Sequence, residues 1–152
     1  MKSVALKSLL AALLPILALA IAGCASYSAN IKPDATLSKY QRIWVKTNMD
    51  DNHGIAKYIT DALHARGIET GSGPLTMMPY KMQAVISYRD DWTWDFKDHM
   101  TSLVLSMQDN KIDYPIATAT YSGPIALTAE PRDVVEKLMT KLFTTPPAKK
   151  QE

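Results

Sequence analysis

The side chains of this 152-residue chain best suited to chemistry are one thiol, Cys24, three imidazoles and a dense run of carboxylates. The run Asp90-Asp91-Trp92-Thr93-Trp94-Asp95-Phe96-Lys97-Asp98-His99 puts four carboxylates and an imidazole within ten residues. Such groups hold a hard cation or activate water when they converge. Asp90, Asp91, Asp95, Asp98 and His99 are therefore the candidates for a metal or hydrolytic site. Their spacing follows neither the calcium loop D-x-D-x-D-G nor H-E-x-x-H. On a strand, Asp91 and Asp95 lie on the face opposite Trp92 and Trp94, and Asp95 suits a turn in which it accepts backbone N–H bonds. Trp92 and Trp94 are candidates for a partner-binding surface, because tryptophan is favoured at binding hot spots. On one parity of a strand, however, such a pair is more often core than a binding platform. His53 and His64 face no acid–nucleophile pair. Gly71-Ser72-Gly73 lacks the strand–turn–helix of a nucleophile elbow and is too short for a phosphate loop. No catalytic triad is visible, so no catalytic residue, no bound metal and no cofactor are expected.

Cys24 stands in a different setting. Lys2 and Lys7 precede an apolar run from Leu9 to Ala20 that contains Pro15. A dozen residues suit the core of a signal peptide and fall short of the ~20 that span a bilayer. Ile21-Ala22-Gly23-Cys24 follows directly and resembles the lipobox of bacterial lipoproteins. Small residues let a peptidase reach extended backbone, and the thiol becomes a thioether to diacylglycerol. The resemblance implies cleavage before Cys24 and anchoring by fatty acyl chains such as palmitate. Each buried methylene contributes roughly 0.8 kcal/mol, and two or more chains hold stably. In the lipoproteins it resembles, aspartate after the cysteine favours retention in the inner membrane, so the resemblance implies that Ala25 directs the chain to the outer membrane, facing the periplasm, in a host with two membranes.

Removing residues 1–23 from 152 leaves 129. The removed segment holds two of the 17 basic residues and no acid, so 15 basic remain against 15 acidic. A neutral body is not steered toward nucleic acid or anionic headgroups. With its only cysteine acylated it has no thiol left for a disulfide or a zinc site. Apolar content of 47% with 21% charge indicates a packed globule.

These residues need a frame. Residues 24–40, polar and containing Pro33, read as a lipid-anchored linker. Arg42–Thr47 reads as a strand. Asp51 and Asn52 are candidate N-caps for a helix over about 53–66, ended by Gly67. Residues 68–70 read as a short strand, and Gly71–Pro79 as a loop. From Met82 the chain alternates through Ala84, Ile86, Tyr88, Trp92 and Trp94, as a half-buried strand does. Thr101–Asp109 and Ile112–Ser122 follow as strands around a hairpin at Asp109-Asn110-Lys111, Pro115 marking an edge or a bulge. Pro131 opens a second helix, and residues 144–152 read as a disordered tail. The expected fold is α+β: one mixed or antiparallel sheet of about five strands, in the order β-α-β-β-β-β-α, with two helices on one face, over residues 41–143.

The lipobox, the strand–helix–Arg66-Gly67-Ile68 start, the Ser87–Asp95 stretch with its W-x-W-D and the hairpin after it resemble small, mostly uncharacterised bacterial lipoproteins of the DUF type. The similarity covers roughly residues 20–143. It implies an α+β domain on a membrane anchor and transfers no functional residue beyond Cys24. The element order also resembles, by fold alone, the lipopolysaccharide-transport lipoprotein. The expected role is a non-catalytic periplasmic lipoprotein, anchored through Cys24, that binds a periplasmic protein or glycan or serves envelope assembly. The alternatives are a carrier of an apolar envelope ligand, needing a lined cavity, and a carboxylate-dependent hydrolase, needing two converging acids.

Overall fold

The computed structural model describes residues 25–94, 96–112, 114–123 and 129–149. The signal segment 1–23, Cys24, Asp95 and residues 150–152 lie outside the described residues. One six-stranded mixed sheet carries two helices. The elements are β1 (Ser26–Ile31), β2 (Arg42–Lys46), α1 (Ile55–His64), β3 (Glu69–Gly73), β4 (Ala84–Trp94), β5 (Asp98–Asp109), β6 (Pro115–Ser122) and α2 (Pro131–Thr144). The strand order is β1-β6-β5-β4-β2-β3. β2 runs parallel to both β3 and β4, and the other pairs are antiparallel.

Alternation decides the buried face. Ile43 and Val45 of β2, Ile86 and Tyr88 of β4, Leu105 and Met107 of β5, and Ala119 and Tyr121 of β6 form one core with Ile55, Ile59 and Leu63 of α1 and Val134, Leu138 and Leu142 of α2. Because the side-chain period of a strand is two, a slip of one residue would expose all of these. Arg66, just past α1, ties the helices together: its guanidinium grips Glu136 of α2 through both nitrogens at 2.7 and 3.2 Å and reaches Thr140 at 2.9 Å.

The structure corrects the sequence reading at three places. The segment read as a linker contains β1, whose six residues pair with β6 from Ser26↔Ser122 to Ile31↔Ala117. Ile31, Ala35, Leu37 and Tyr40 then enter the core, and the Tyr40 hydroxyl donates to Asp109 Oδ2 at 2.6 Å. Ser26 to Ile31 in fact alternates polar and apolar with the period of a strand, its burial alternating with it; the run is only six residues long and lies among polar neighbours, and the linker reading passes over this strand. It also explains Pro115: with β1 added, β6 is internal, and proline is tolerated as its first residue beside a register shift at Met107/Gln108. The start of the tail is held as well, the Ala148 N–H donating to Ile31 O at 2.9 Å.

The third correction is β3, which runs on through Gly71 to Gly73. The glycines serve packing rather than a turn. On the face away from the helices, the Trp44 ring lies over them, and its Nε1 donates to Gly73 O at 3.1 Å. A Cβ on Gly71 would stand 2.7 Å from Trp44 Cζ3. Gly71→Ala is therefore expected to cost about 1–3 kcal/mol through overpacking, measured as a lower denaturant midpoint. An unchanged midpoint would show that the ring moves aside freely.

Candidate functional site: an aromatic hairpin clamped to a helix start

The chemistry-bearing residues gather at one end of the sheet, where β2 passes through residues 47–54 into α1 and β4 turns into β5. Asp51 organises this end. Its Oδ1 accepts the N–H of Ile55 and its Oδ2 that of Ala56, both at 2.9 Å, and Oδ2 also accepts the Tyr88 hydroxyl at 2.8 Å. The N-cap position belongs to Gly54, with φ 71°, so the carboxylate caps from outside the helix. Burial pushes the Asp51 carboxyl up, but the N–H groups of Ala56, Ile55 and Gly54 and the Tyr88 hydroxyl outweigh it and hold the group below its ordinary range. Burial raises the Tyr88 hydroxyl, the Asn48 N–H opposes the rise, and the bond to Asp51 adds to it. Asn48 completes the junction by donating its amide Nδ2 to Tyr88 O at 2.9 Å.

Farther along the same loop, His53 stacks on Trp92, with ring centroids 3.6 Å apart and planes 13° from parallel. His53 Nε2 lies 3.2 Å from Asp98 Oδ2, and Trp92 Nε1 donates to Asp90 Oδ2 at 2.6 Å. A groove of about 610 Å³ runs past these groups, lined among others by Lys46, Met49, Asp50, Arg89 and Asp90.

The residues singled out in the sequence thus separate. Trp92 is half-buried against the core under His53, whereas Trp94, two residues on, is 72% exposed. The parity was read correctly; the core simply ends at the position His53 covers. Asp90 is bound to Trp92, Asp98 faces His53, and exposed Asp91 lies 4.0 Å from Arg89. His99 is half-buried on β5 opposite Thr93. Among the described residues, no three His, Cys, Asp or Glu side chains are grouped to hold a metal ion.

Sequence reasoning missed His53 as a structural partner of Trp92, since 39 positions separate them and no local pattern joins them. It also missed Phe96. This side chain is 91% exposed, adopts φ 57° and lies 6.0 Å from the Trp94 ring. A positive φ at a bulky aromatic residue is uncommon, and no local signal announced it. Among the described residues, no helix is long and apolar enough to cross a membrane.

Sheet and helices define an open-faced α+β domain, and comparison with known proteins places that fold. No protein-family model matches the chain, and no curated protein is significantly similar to it. Among solved structures it is similar to the PelC dodecamer from Paraburkholderia phytofirmans, at TM-score 0.53 and 14% identity over 84% of this chain and 100% of that one. A PDZ domain protein from Parabacteroides distasonis matches at TM-score 0.50 and 10% identity over 83% of this chain and 37% of that one. A minor lipoprotein from Acinetobacter baumannii matches at TM-score 0.35 and 13% identity over 67% of this chain and 87% of that one, too distant for any argument. At these identities the likeness is one of fold.

Asp51 sets an expectation for acid. A carboxyl held low in the fold adds stability that is complete above its unfolded pKa of about 3.9 and is lost as pH falls through the lower folded value. Asp51→Asn is therefore expected to cost about 1–2 kcal/mol at neutral pH. The gap to the parent should close in strong acid. Melting curves between neutral pH and pH ~2 check this, and a gap that widens in acid would contradict it.

Proposed function

We propose that the chain is a lipid-anchored protein of the bacterial cell envelope. Cys24 is its acylated residue, and its α+β domain is a binding or assembly module rather than a catalyst. The observation that carries the reading is the Ile21-Ala22-Gly23-Cys24 pattern after a signal-like segment, joined to a domain whose first strand starts at Ser26. Two residues of chain reach about 7 Å at most, so an acylated Cys24 holds the domain close to the membrane surface.

A binding role is supported by the sheet face that the helices leave uncovered. Ser28, Thr118, Thr120, Ser106, Ser87 and Gln108 share it across four strands. Val85 and Val104 share it too, so it mixes hydroxyl and amide groups with small apolar side chains, a surface suited to a glycan or a polar protein partner. Against catalysis weighs the use the fold makes of its acids: Asp51 caps a helix, Asp90 holds a tryptophan and Asp98 faces a histidine. Against an apolar carrier weighs the filled space between sheet and helices, where Ile43, Ile59, Leu105 and Leu138 have no exposure.

Cys24→Ser is expected to abolish detergent-phase partitioning and to leave the signal segment uncleaved, read by mass spectrometry of the N-terminus. A variant that still fractionates with membranes unchanged would overturn the anchor. For binding, the parent but not a Ser106→Arg, Thr120→Arg variant should retain an envelope protein or glycan; equal retention would remove the uncovered face from the proposal.

A further inference from the structure

The strand register places the start of the domain and the aromatic hairpin at the same end of the sheet. Ser26 pairs with Ser122, Ser122 with Ser102, and Ser102 with Asp91. Beyond Asp91, β4 continues through Trp92, Thr93 and Trp94, and β5 returns from Asp98. The hairpin therefore projects past the level of Ser26 by three residues, about 10 Å at the rise of a strand. At its end stand Trp94 and Phe96, 72% and 91% exposed. Of the other exposed apolar side chains, Met49 lines the groove beside Trp92, Tyr80 and Tyr114 stand toward the opposite end, where β4 and β6 begin, and Leu75 and Met77 follow β3.

We infer that Trp94 and Phe96 are a second membrane contact, dipping into the headgroup region beside the acyl chains of Cys24. This rests on the proposed lipid anchor and adds to it the lipid bilayer as the occupant of the aromatic tip. Three observations favour a bilayer over a protein partner. The chain leading to the anchor leaves the domain at this end, two residues from Cys24. The indole of Trp94 suits the membrane–water boundary, its ring apolar and its N–H wet, and the wholly apolar Phe96 ring beside it can bury deeper. Phe96 occupies a left-handed turn position that glycine or asparagine would fill without strain, so a bare phenylalanine there gains nothing from the fold.

Charge indicates which kind of surface. Residues 89–99 carry two cations, Arg89 and Lys97, against four carboxylates. An anionic surface would repel this hairpin, so the contact is apolar and insensitive to salt. Two anchors also fix the orientation: the long axes of β4 and β5 stand up from the membrane, and the end bearing Tyr80 and the Asp109–Lys111 turn faces away from it.

The test uses the full mature lipoprotein in vesicles of phosphatidylcholine containing brominated phosphatidylcholine, with tryptophan emission as the readout. Part of the emission should be quenched, and Trp94→Phe should remove that part while Trp92→Phe leaves it. Quenching should persist in high salt and should not increase when phosphatidylglycerol is added. Phe96→Asn should reduce Trp94 quenching while raising the thermal midpoint, which separates a membrane role from a folding one; a lowered midpoint would assign Phe96 to the fold and overturn its part. Emission indifferent to brominated lipid, or quenching that needs anionic lipid and vanishes in salt, overturns the inference. Mass spectrometry of the same sample separates the two readings. An unmodified Cys24 overturns both, whereas an acylated Cys24 with unquenched Trp94 overturns only this one.

Discussion

One carboxylate holds the hairpin end of the molecule together. Asp51 accepts two helix N–H groups and the Tyr88 hydroxyl, joining a loop, a helix start and the middle of the longest hairpin. The first turn of a helix leaves donors without partners, and α1 lacks a side-chain cap at Gly54. Asp51 supplies the missing acceptors and, through Tyr88, fixes the loop in register with β4. Everything beyond follows from that registry. With Asp51 in place, His53 reaches the face of Trp92, and Asp98 meets His53 from the returning strand. The hairpin is thus clamped at its base while its end stays bare.

The clamp explains a division that alternation alone does not make. Tyr88, Asp90, Trp92 and Trp94 share a parity, yet their environments grade from buried to solvent. Burial depends on what lies opposite as much as on which way a side chain points. The helix layer ends near Tyr88, one loop residue extends it over Trp92, and nothing described covers Trp94. The polar run after Arg89 serves this transition. Asp90 satisfies the indole N–H of a half-buried tryptophan, which otherwise would lose a hydrogen bond to water without a replacement.

Much of the frame was legible from residue order. Strong alternation found β4 and β5, helical spacing found α1 and α2, and Pro131 marked the start of α2, because these signals are local and repeat. The α+β class and the two helices on one face followed from them. What escaped depends on partners distant in sequence. β1 is the exception: its alternation of Tyr27, Ala29 and Ile31 with polar residues is a local signal, but a six-residue one beside Pro33, and the pairing with β6 is what makes it part of the sheet. Gly71 and Gly73 look like loop residues until the Trp44 ring that needs their bareness is seen across the sheet. The carboxylate cluster was legible as a cluster but not in its use, because which acid meets which donor is set by the fold over tens of residues.

The first strand changes what an N-terminal anchor does. A flexible linker of about 16 residues would let a domain wander over a radius of roughly 20 Å or more, with no face preferred. A paired edge strand beginning two residues after the cysteine removes that freedom, so with the proposed anchor the sheet itself would transmit orientation to the rest of the domain. Under the proposed anchor the sheet face left uncovered by the helices would lie alongside the membrane normal, open sideways, while the helices shield the core on the other side. Local rules are broken mainly at one end of this arrangement, by a bare tryptophan and by a phenylalanine at φ 57°. Natural folds keep such exceptions where something outside the chain compensates for them. Here the exceptions coincide with the end from which the chain departs toward its proposed lipid, and one surface answers both.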